Sequence, residues 1–316
     1  MRDISVFYPT NHCDGHRKYP DELKVLADKY NFDNLPRRDY TSKYDEISDL
    51  IKKADYLMAW IGGGIEPKFG TSNSTIELLF DMTEQDFALI KERGAKVIGL
   101  SDVTYLLAAL QNRGIKCYYG PNLFSKFIRC GGDDERALMY ESLENALNND
   151  EYTINLSEKA FNVTENPTVL RGGKARGRLI GGNAETLRAI QESNPQYMLK
   201  RQKGDIIFLE SVTPGYDEEG ISIQLKILAE NGFFNDVSAV IIGKGQYPCQ
   251  KSGDQRLWYD RKWEYDCIVK TVDLLIPKNI PVVINAPSGH VSPMMTIPLG
   301  CEAELDADAL TLKILE

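Results

Sequence analysis

Three side chains with the chemistry of acyl transfer stand far apart in the chain. Ser101 lies in Gly99-Leu100-Ser101-Asp102-Val103-Thr104, between a short apolar run, 96–100, and a helix-like stretch from Val103 to Arg113. That arrangement predicts a strand, a sharp turn and a helix. Such a turn pushes a hydroxyl out at the end of a sheet and aims the free N–H groups of the helix at whatever binds there. Serine is also a common helix cap, so the motif alone leaves a purely structural reading open. Glu210 ends Gly204-Asp205-Ile206-Ile207-Phe208-Leu209-Glu210, a buried-looking strand. His290, one of 3 histidines, closes Ala286-Pro287-Ser288-Gly289-His290 behind another apolar strand, 280–284. A serine hydroxyl is a poor nucleophile at neutral pH. It needs a base at roughly 3 Å, and the base needs a carboxylate to fix its tautomer and stabilise it when charged. Ser, Glu and His, in that order along the chain, supply those three roles.

With their surroundings these residues give the chain a family resemblance. It resembles the serine peptidases that comprise bacterial LD-carboxypeptidases and the microcin C immunity proteins. The likeness runs over most of the chain. It is carried by Gly62-Gly63-Gly64, Gly99 to Thr104, Tyr119-Gly120-Pro121-Asn122, Gly177-Arg178-Leu179-Ile180-Gly181-Gly182-Asn183, Ile207-Phe208-Leu209-Glu210, Gly289-His290 and Thr296-Ile297-Pro298-Leu299-Gly300. The resemblance implies that Ser101 is the nucleophile, His290 the general base and Glu210 the carboxylate that orients it. It implies an oxyanion hole built from the backbone N–H of Asp102 and a glycine of the 62–64 run, with Gly63 preferred and Gly62 and Gly64 left open. It further implies no cofactor, no metal and a homodimer. Two departures bear on substrate choice more than on catalysis. Many LD-carboxypeptidases carry an Arg before the glycine pair, where Trp60-Ile61 stand here, and the acidic residue usual after the catalytic glutamate is Ser211.

The two branches of the family cut different amides. LD-carboxypeptidases remove the terminal D-amino acid from a peptidoglycan tetrapeptide, whereas the immunity branch cuts the amide joining a peptidyl or aminoacyl group to a modified nucleotide. The stretch Val169 to Asn183, with Tyr119 to Asn122, looks more like the immunity branch. Both chemistries use the same acyl transfer, so the triad does not choose between them. A catalytically silent protein that binds cell-wall peptides is a third reading, against which the complete Ser, Glu and His set argues. On the substrate side the candidates are Gly64, Tyr119, Asn122, Trp258 and Trp263. The two tryptophans sit in Trp258-Tyr259-Asp260-Arg261-Lys262-Trp263-Glu264-Tyr265, which reads as core at helical spacing or as a stacking wall for a base or sugar.

Other constellations carry less. Gly62-Gly63-Gly64 lacks the spacing of a dinucleotide fingerprint and the Lys-Ser/Thr of a phosphate-binding loop. Gly181-Gly182-Asn183 reads as a tight turn with Asn capping a helix. His12-Cys13-Asp14-Gly15-His16 has metal-ligand chemistry but too few partners for a zinc site, and reads as a polar loop. The 6 cysteines form no C-x-x-C pair, as expected of reduced thiols. A net charge of -9 and a pI near 5.1 argue against a general nucleic-acid or anionic-membrane surface. The basic cluster from Arg171 to Arg178 could still grip one anionic group. No run is long enough to cross a bilayer, and Met1-Arg2-Asp3-Ile4-Ser5 lacks the apolar core of a signal peptide, so a cytoplasmic location is expected.

An α/β architecture must position these groups, and 316 residues with 42% hydrophobic content suffice for two cores. An N-terminal parallel-sheet α/β domain, 1–150, is expected to carry the nucleophile. A polar linker, 151–168, follows, and a mixed, β-rich domain, 169–316, carries the glutamate and histidine, with the active site in a cleft between domains. The expected strands are 3–8, 55–61, 96–100, 115–119, 205–210, 237–243 and 281–285, with a closing pair near 302–315. The expected helices are 20–31, 42–54, 84–93, 103–113, 135–149, one from the Asn183 turn to Glu192, 218–231 and 258–275, and a hairpin is expected around Arg171-Gly172-Gly173-Lys174. Strands alternating with helices imply a parallel sheet whose carboxyl ends hold the ligand.

Overall fold

The computed structural model describes residues 2–7, 30–33, 45–59, 79, 82–128, 132–162, 166–212, 220–245 and 261–315. The chain forms two compact units: Met1–Asn149 with Met295–Gly300, and Asp150–Met294 with Cys301–Glu316. Among the described residues no helix is long and apolar enough to cross a membrane.

The first unit is built on a six-stranded sheet. Counting strands along the whole chain, it contains β1 (Arg2–Phe7), β2 (Tyr30–Asp33), β3 (Tyr56–Ala59), β4 (Lys96–Gly99), β5 (Cys117–Tyr119) and β12 (Ile297–Leu299), in the order β12-β5-β4-β3-β1-β2. Every pairing among β1 to β5 is parallel, while β12 returns from far down the chain to lie antiparallel on β5. β3 is buried at every position and β4 at all but its first, as befits strands covered on both faces. The described helices here are α1 (Asp45–Lys53), α2 (Glu84–Arg93), α3 (Thr104–Gln111) and α4 (Asp133–Asn148). The chemistry that starts and stops α2 is complete. Thr83 and Asp86 form a reciprocal capping box, Lys91 and Arg93 sit at the negative end, and Gly94 closes the helix at φ 63.

The second unit is built on an eight-stranded sheet. Its strands are β6 (Tyr152–Asn155), β7 (Thr168–Arg171), β8 (Lys174–Asn183), β9 (Ile206–Glu210), β10 (Ala239–Lys244), β11 (Val282–Gly289), β13 (Cys301–Asp306) and β14 (Thr311–Ile314), ordered β6-β14-β13-β8-β9-β10-β11-β7. The four central strands, β8 to β11, are mutually parallel, and antiparallel strands flank them on both sides. β9 and β10 are buried throughout. Helices α5 (Ala184–Ser193), α6 (Ile221–Glu230) and α7 (Arg261–Leu275) complete the described part.

Three expectations are corrected. The stretch 151–168 is not plain linker, because β6 lies in it and pairs with β14. Arg171-Gly172-Gly173-Lys174 is not the tip of a hairpin: β7 goes to the edge of the sheet beside β11, while β8 enters the middle between β13 and β9. The basic cluster is committed internally, with Lys174 on Asp306 at 2.8 Å, Arg176 on Glu304 at 3.3 Å and Arg178 on the buried Asp205 at 3.1 Å. Arg171 donates to the carbonyls of Val272, Ile276 and Pro277. The helix expected over 20–31 falls largely outside the described residues, and Tyr30 already begins β2.

Candidate active site

Ser101 sits where β4 hands over to α3. Its φ of 64 places a residue with a side chain in the left-handed region, at a cost of order 1–2 kcal/mol for an ordinary L-residue. Two neighbours hold the chain in that path. At Gly99 a Cβ would stand 2.3 Å from Val103 Cγ1, so the turn closes only around a glycine. Tyr119, in register with Gly99 on β5, accepts the Ser101 N–H on its hydroxyl at 3.2 Å. Gly120 N–H donates to the Gly99 carbonyl at 3.0 Å, extending the strand contact to the turn. Ser101 and Asp102 are partly exposed, whereas Val103 is buried beneath them. This is a strained strand–turn–helix presentation of a hydroxyl, with the Asp102 backbone at the opening of the helical run. The Asp102 carboxylate also bears on Tyr105, whose hydroxyl is pushed up to about 12 by burial first and by that charge second.

Glu210 ends β9, fully buried, with both carboxylate oxygens engaged. Oε1 accepts from Asn183 Nδ2 at 2.9 Å, and Oε2 accepts from the His290 backbone N–H at 3.2 Å and meets His290 Nδ1 at 2.7 Å. A carboxylate cannot donate, so the proton of a neutral imidazole is placed on Nδ1, and Nε2 is the basic nitrogen. The sheet explains how Asn183, Glu210 and His290 meet. β8, β9, β10 and β11 run parallel, and their carboxyl ends deliver Asn183, Glu210, Lys244 and the Gly289-His290 step side by side, Asn183 in register with Glu210 and Lys244 with Gly289. Two glycines make room for the carboxylate. A Cβ at Gly243 would lie 3.0 Å from Glu210 Cβ, and one at Gly289, whose φ is 126, would lie 2.9 Å from Glu210 Oε2. The β10–β11 register slips on either side of Gly243, where the strand must yield to the side chains it delivers.

Asn183 does two jobs. Its Oδ1 caps α5 by accepting from Thr186 N at 2.9 Å, which the sequence announces, while its amide grips Glu210, which the sequence does not. A further residue escapes the sequence reading. Glu185, in the first turn of α5, accepts from Val212 N–H at 3.0 Å and from the Ser211 hydroxyl. Burial, reinforced by the charge of Glu210, pushes its carboxyl up to about 7. The signal for both roles is the parallel register of β8 on β9, which one sequence does not display.

The remaining candidates fall as follows. Tyr119 is fully buried, so its ring is core and its hydroxyl serves the turn; it presents no face for stacking. Asn122 is buried just beyond β5. Trp263 falls on α7. Gly62, Gly63, Gly64 and Trp258 lie outside the described residues, as do His12, Cys13 and His16. Among the described residues no group of three His, Cys, Asp or Glu could hold a metal ion.

The family model for the LD-carboxypeptidase C-terminal domain matches residues 176–305, the segment that contains most of β8, all of β9 to β11, Glu210 and His290. The chain is 30% identical over 297 residues to the microcin C7 self-immunity protein MccF of Escherichia coli, covering 86% of this chain and 77% of that protein. A solved structure of MccF in complex with aspartyl sulfamoyl adenosine matches with a TM-score of 0.74 at 25% identity, over 100% of this chain and 96% of that one. A muramoyltetrapeptide carboxypeptidase from Oxalobacter formigenes shares the fold, with a TM-score of 0.69 at 20% identity over 98% of this chain and 97% of that one. The chain therefore belongs to the LD-carboxypeptidase family of serine peptidases, the family of the microcin C7 self-immunity protein.

Proposed function

We propose that the chain hydrolyses the amide of peptidyl or aminoacyl nucleotide conjugates through a Ser101–His290–Glu210 triad, as a microcin C immunity-like enzyme. The observation that carries the reading is the buried Glu210 Oε2 to His290 Nδ1 contact of 2.7 Å, which leaves Nε2 basic. Ser101 Oγ attacks the carbonyl carbon while His290 Nε2 takes the hydroxyl proton, and Glu210 stabilises the imidazolium without taking that proton itself. The oxyanion of the tetrahedral intermediate is met by the backbone N–H groups of Asp102 and Gly63. His290 then returns the proton to the leaving nitrogen, and a water deprotonated by the same imidazole releases the acyl group from Ser101. The strained backbone at Ser101 supports its role, because such turns concentrate where a side chain must be aimed.

The choice of branch rests on the likeness to MccF, whose structure holds an aminoacyl sulfamoyl nucleotide. With Tyr119 buried, Trp258 or Trp263 is the proposed wall for the base. The competing reading, release of terminal D-alanine from peptidoglycan tetrapeptides, is favoured by the family's own description and by the likeness to the muramoyltetrapeptide enzyme. A paired assay decides: aspartyl sulfamoyl adenosine and an LD-tetrapeptide are offered at equal concentration, with a serine-directed phosphonate as active-site titrant. Cleavage of the adenosine conjugate and labelling at Ser101 are expected. Efficient release of D-alanine without cleavage of the conjugate overturns the branch, and absence of both turnover and labelling favours a peptide-binding protein. A homodimer and a cytoplasmic location are part of the same proposal; light scattering on the purified chain tests the first and cell fractionation the second.

A further inference from the structure

The start of α5 grips the end of β9 on both sides of Glu210. Asn183, the cap of α5, holds Glu210 Oε1 at 2.9 Å. Two residues further on, Glu185 reaches over to the chain just past Glu210, where its Oε1 takes the Val212 N–H at 3.0 Å and the Ser211 hydroxyl. The residue is partly exposed at the helix surface, yet its carboxyl is turned inward and Oε2 is buried. The charges that bear on it come from Glu210 at the end of β9 and His290 beyond β11. On its own helix Arg188 is committed to Glu192 at 2.9 Å, and from β10 Lys244 turns its ammonium to Asn162 at 2.9 Å.

Two carboxylates that bear on one another in a poorly hydrated place cannot both be ionised cheaply. Glu210 has two side-chain partners and one backbone donor, all favouring its charged form. Glu185 is therefore the group that keeps its proton to higher pH, and its carboxyl stands at about 7 with burial as the first cause and Glu210 as the second. The Ser211 hydroxyl that donates to it belongs to the residue directly after Glu210.

We propose that Glu185 is a positioning residue of the Glu210–His290 pair: it anchors the chain beyond Glu210 through Ser211 and Val212, and so holds in place the carboxylate that orients the imidazole. The proposal rests on His290 being the base.

Glu185→Gln keeps the acceptor for Ser211 and Val212 and removes the charge, whereas Glu185→Leu removes both. The first test needs no substrate. A carboxyl held above its ordinary 4.5 disfavours the fold once ionised, so the parent loses stability as pH rises from about 4.5 through about 7, and Glu185→Gln does not. Urea midpoints should therefore favour the Gln variant increasingly from pH 5 to pH 8; a difference that is flat with pH overturns the buried, inward placement of the Glu185 carboxyl. The second test is kcat/KM on whichever substrate is turned over. Glu185→Leu should lose roughly tenfold or more, mainly in kcat, and Glu185→Gln, which keeps the acceptor for Ser211 and Val212, should recover most of it. An unimpaired Leu variant, or a Gln variant as impaired as Leu, overturns the proposal. If neither substrate is turned over, the proposed function fails, while the urea titration still decides for or against Glu185.

Discussion

Ser101 and His290 are held by opposite means. The serine owes its place to the backbone: a φ of 64, a glycine pressed against Val103 and a single hydroxyl from Tyr119 behind its N–H. The histidine owes its place to side chains, since its ring is fixed by Glu210, which is fixed by Asn183, which caps the next helix. A turn closed by steric fit should fail abruptly when one atom is added to it, whereas a hydrogen-bonded chain should fail by degrees as links are removed. The contrast is open to direct attack.

The largest effect belongs to the reacting groups. Ser101→Ala should lower kcat/KM by roughly 10⁴-fold or more with an unchanged circular dichroism spectrum, and His290→Ala nearly as much. The double variant should lose little beyond either single one, because groups that act as a unit are not additive; losses that multiply would separate His290 from Ser101.

Next comes the turn. Gly99→Ala places a Cβ 2.3 Å from Val103 Cγ1, so a loss of about 1–3 kcal/mol in stability and most of the activity is expected, with partial recovery in Gly99→Ala/Val103→Ala. Full activity of Gly99→Ala would show that the turn is not sterically closed. Asn183→Ala should be milder in turnover, roughly 10- to 100-fold, though it costs about 1–3 kcal/mol through the lost cap and the acceptor left on Glu210. Chemical denaturation beside steady-state kinetics separates the two losses. Smallest is Tyr119→Phe, which deletes one long neutral hydrogen bond at 3.2 Å and should cost about 1 kcal/mol at most, read as a few-fold drop in kcat. If Tyr119→Phe instead removed most activity, the serine would depend on a side-chain support as the histidine does, and the contrast would dissolve.

Local rules made much of this readable. The elbow was visible because a strand, a glycine two residues before a serine and a helix are neighbours in sequence, and the helix 84–93 matched because Thr83, Asp86 and Gly94 state both of its ends. Pairing was what local rules missed. A hairpin is expected around Gly172-Gly173 because glycines between short strands usually reverse the chain, but β7 pairs with β11, more than a hundred residues away, and β8 enters the sheet between β9 and the distant β13. Polar residues in 151–168 concealed β6, an edge strand that needs only alternate burial. Tyr119 reads as a substrate-side candidate because it stands beside a turn, and only its register with Gly99 turns its hydroxyl toward the Ser101 N–H. Glu185 was silent for the same reason, since its partners are set by β8 lying on β9.

β12 changes how this molecule can be taken apart. Three residues, Ile297 to Leu299, complete the edge of a sheet whose other strands end at Tyr119, with Thr296 closing over Gly120 so tightly that a Cβ there would lie 3.0 Å from Thr296 Cγ2. The first unit is thus written in two places, and no single cut yields either unit as a continuous piece. A fragment ending at Asn149 would expose the edge of β5 to pairing with other copies. Recombination that exchanged N-terminal halves between relatives would also split one sheet between two parents, so the sequence around His290 and the β5 edge is expected to be inherited together.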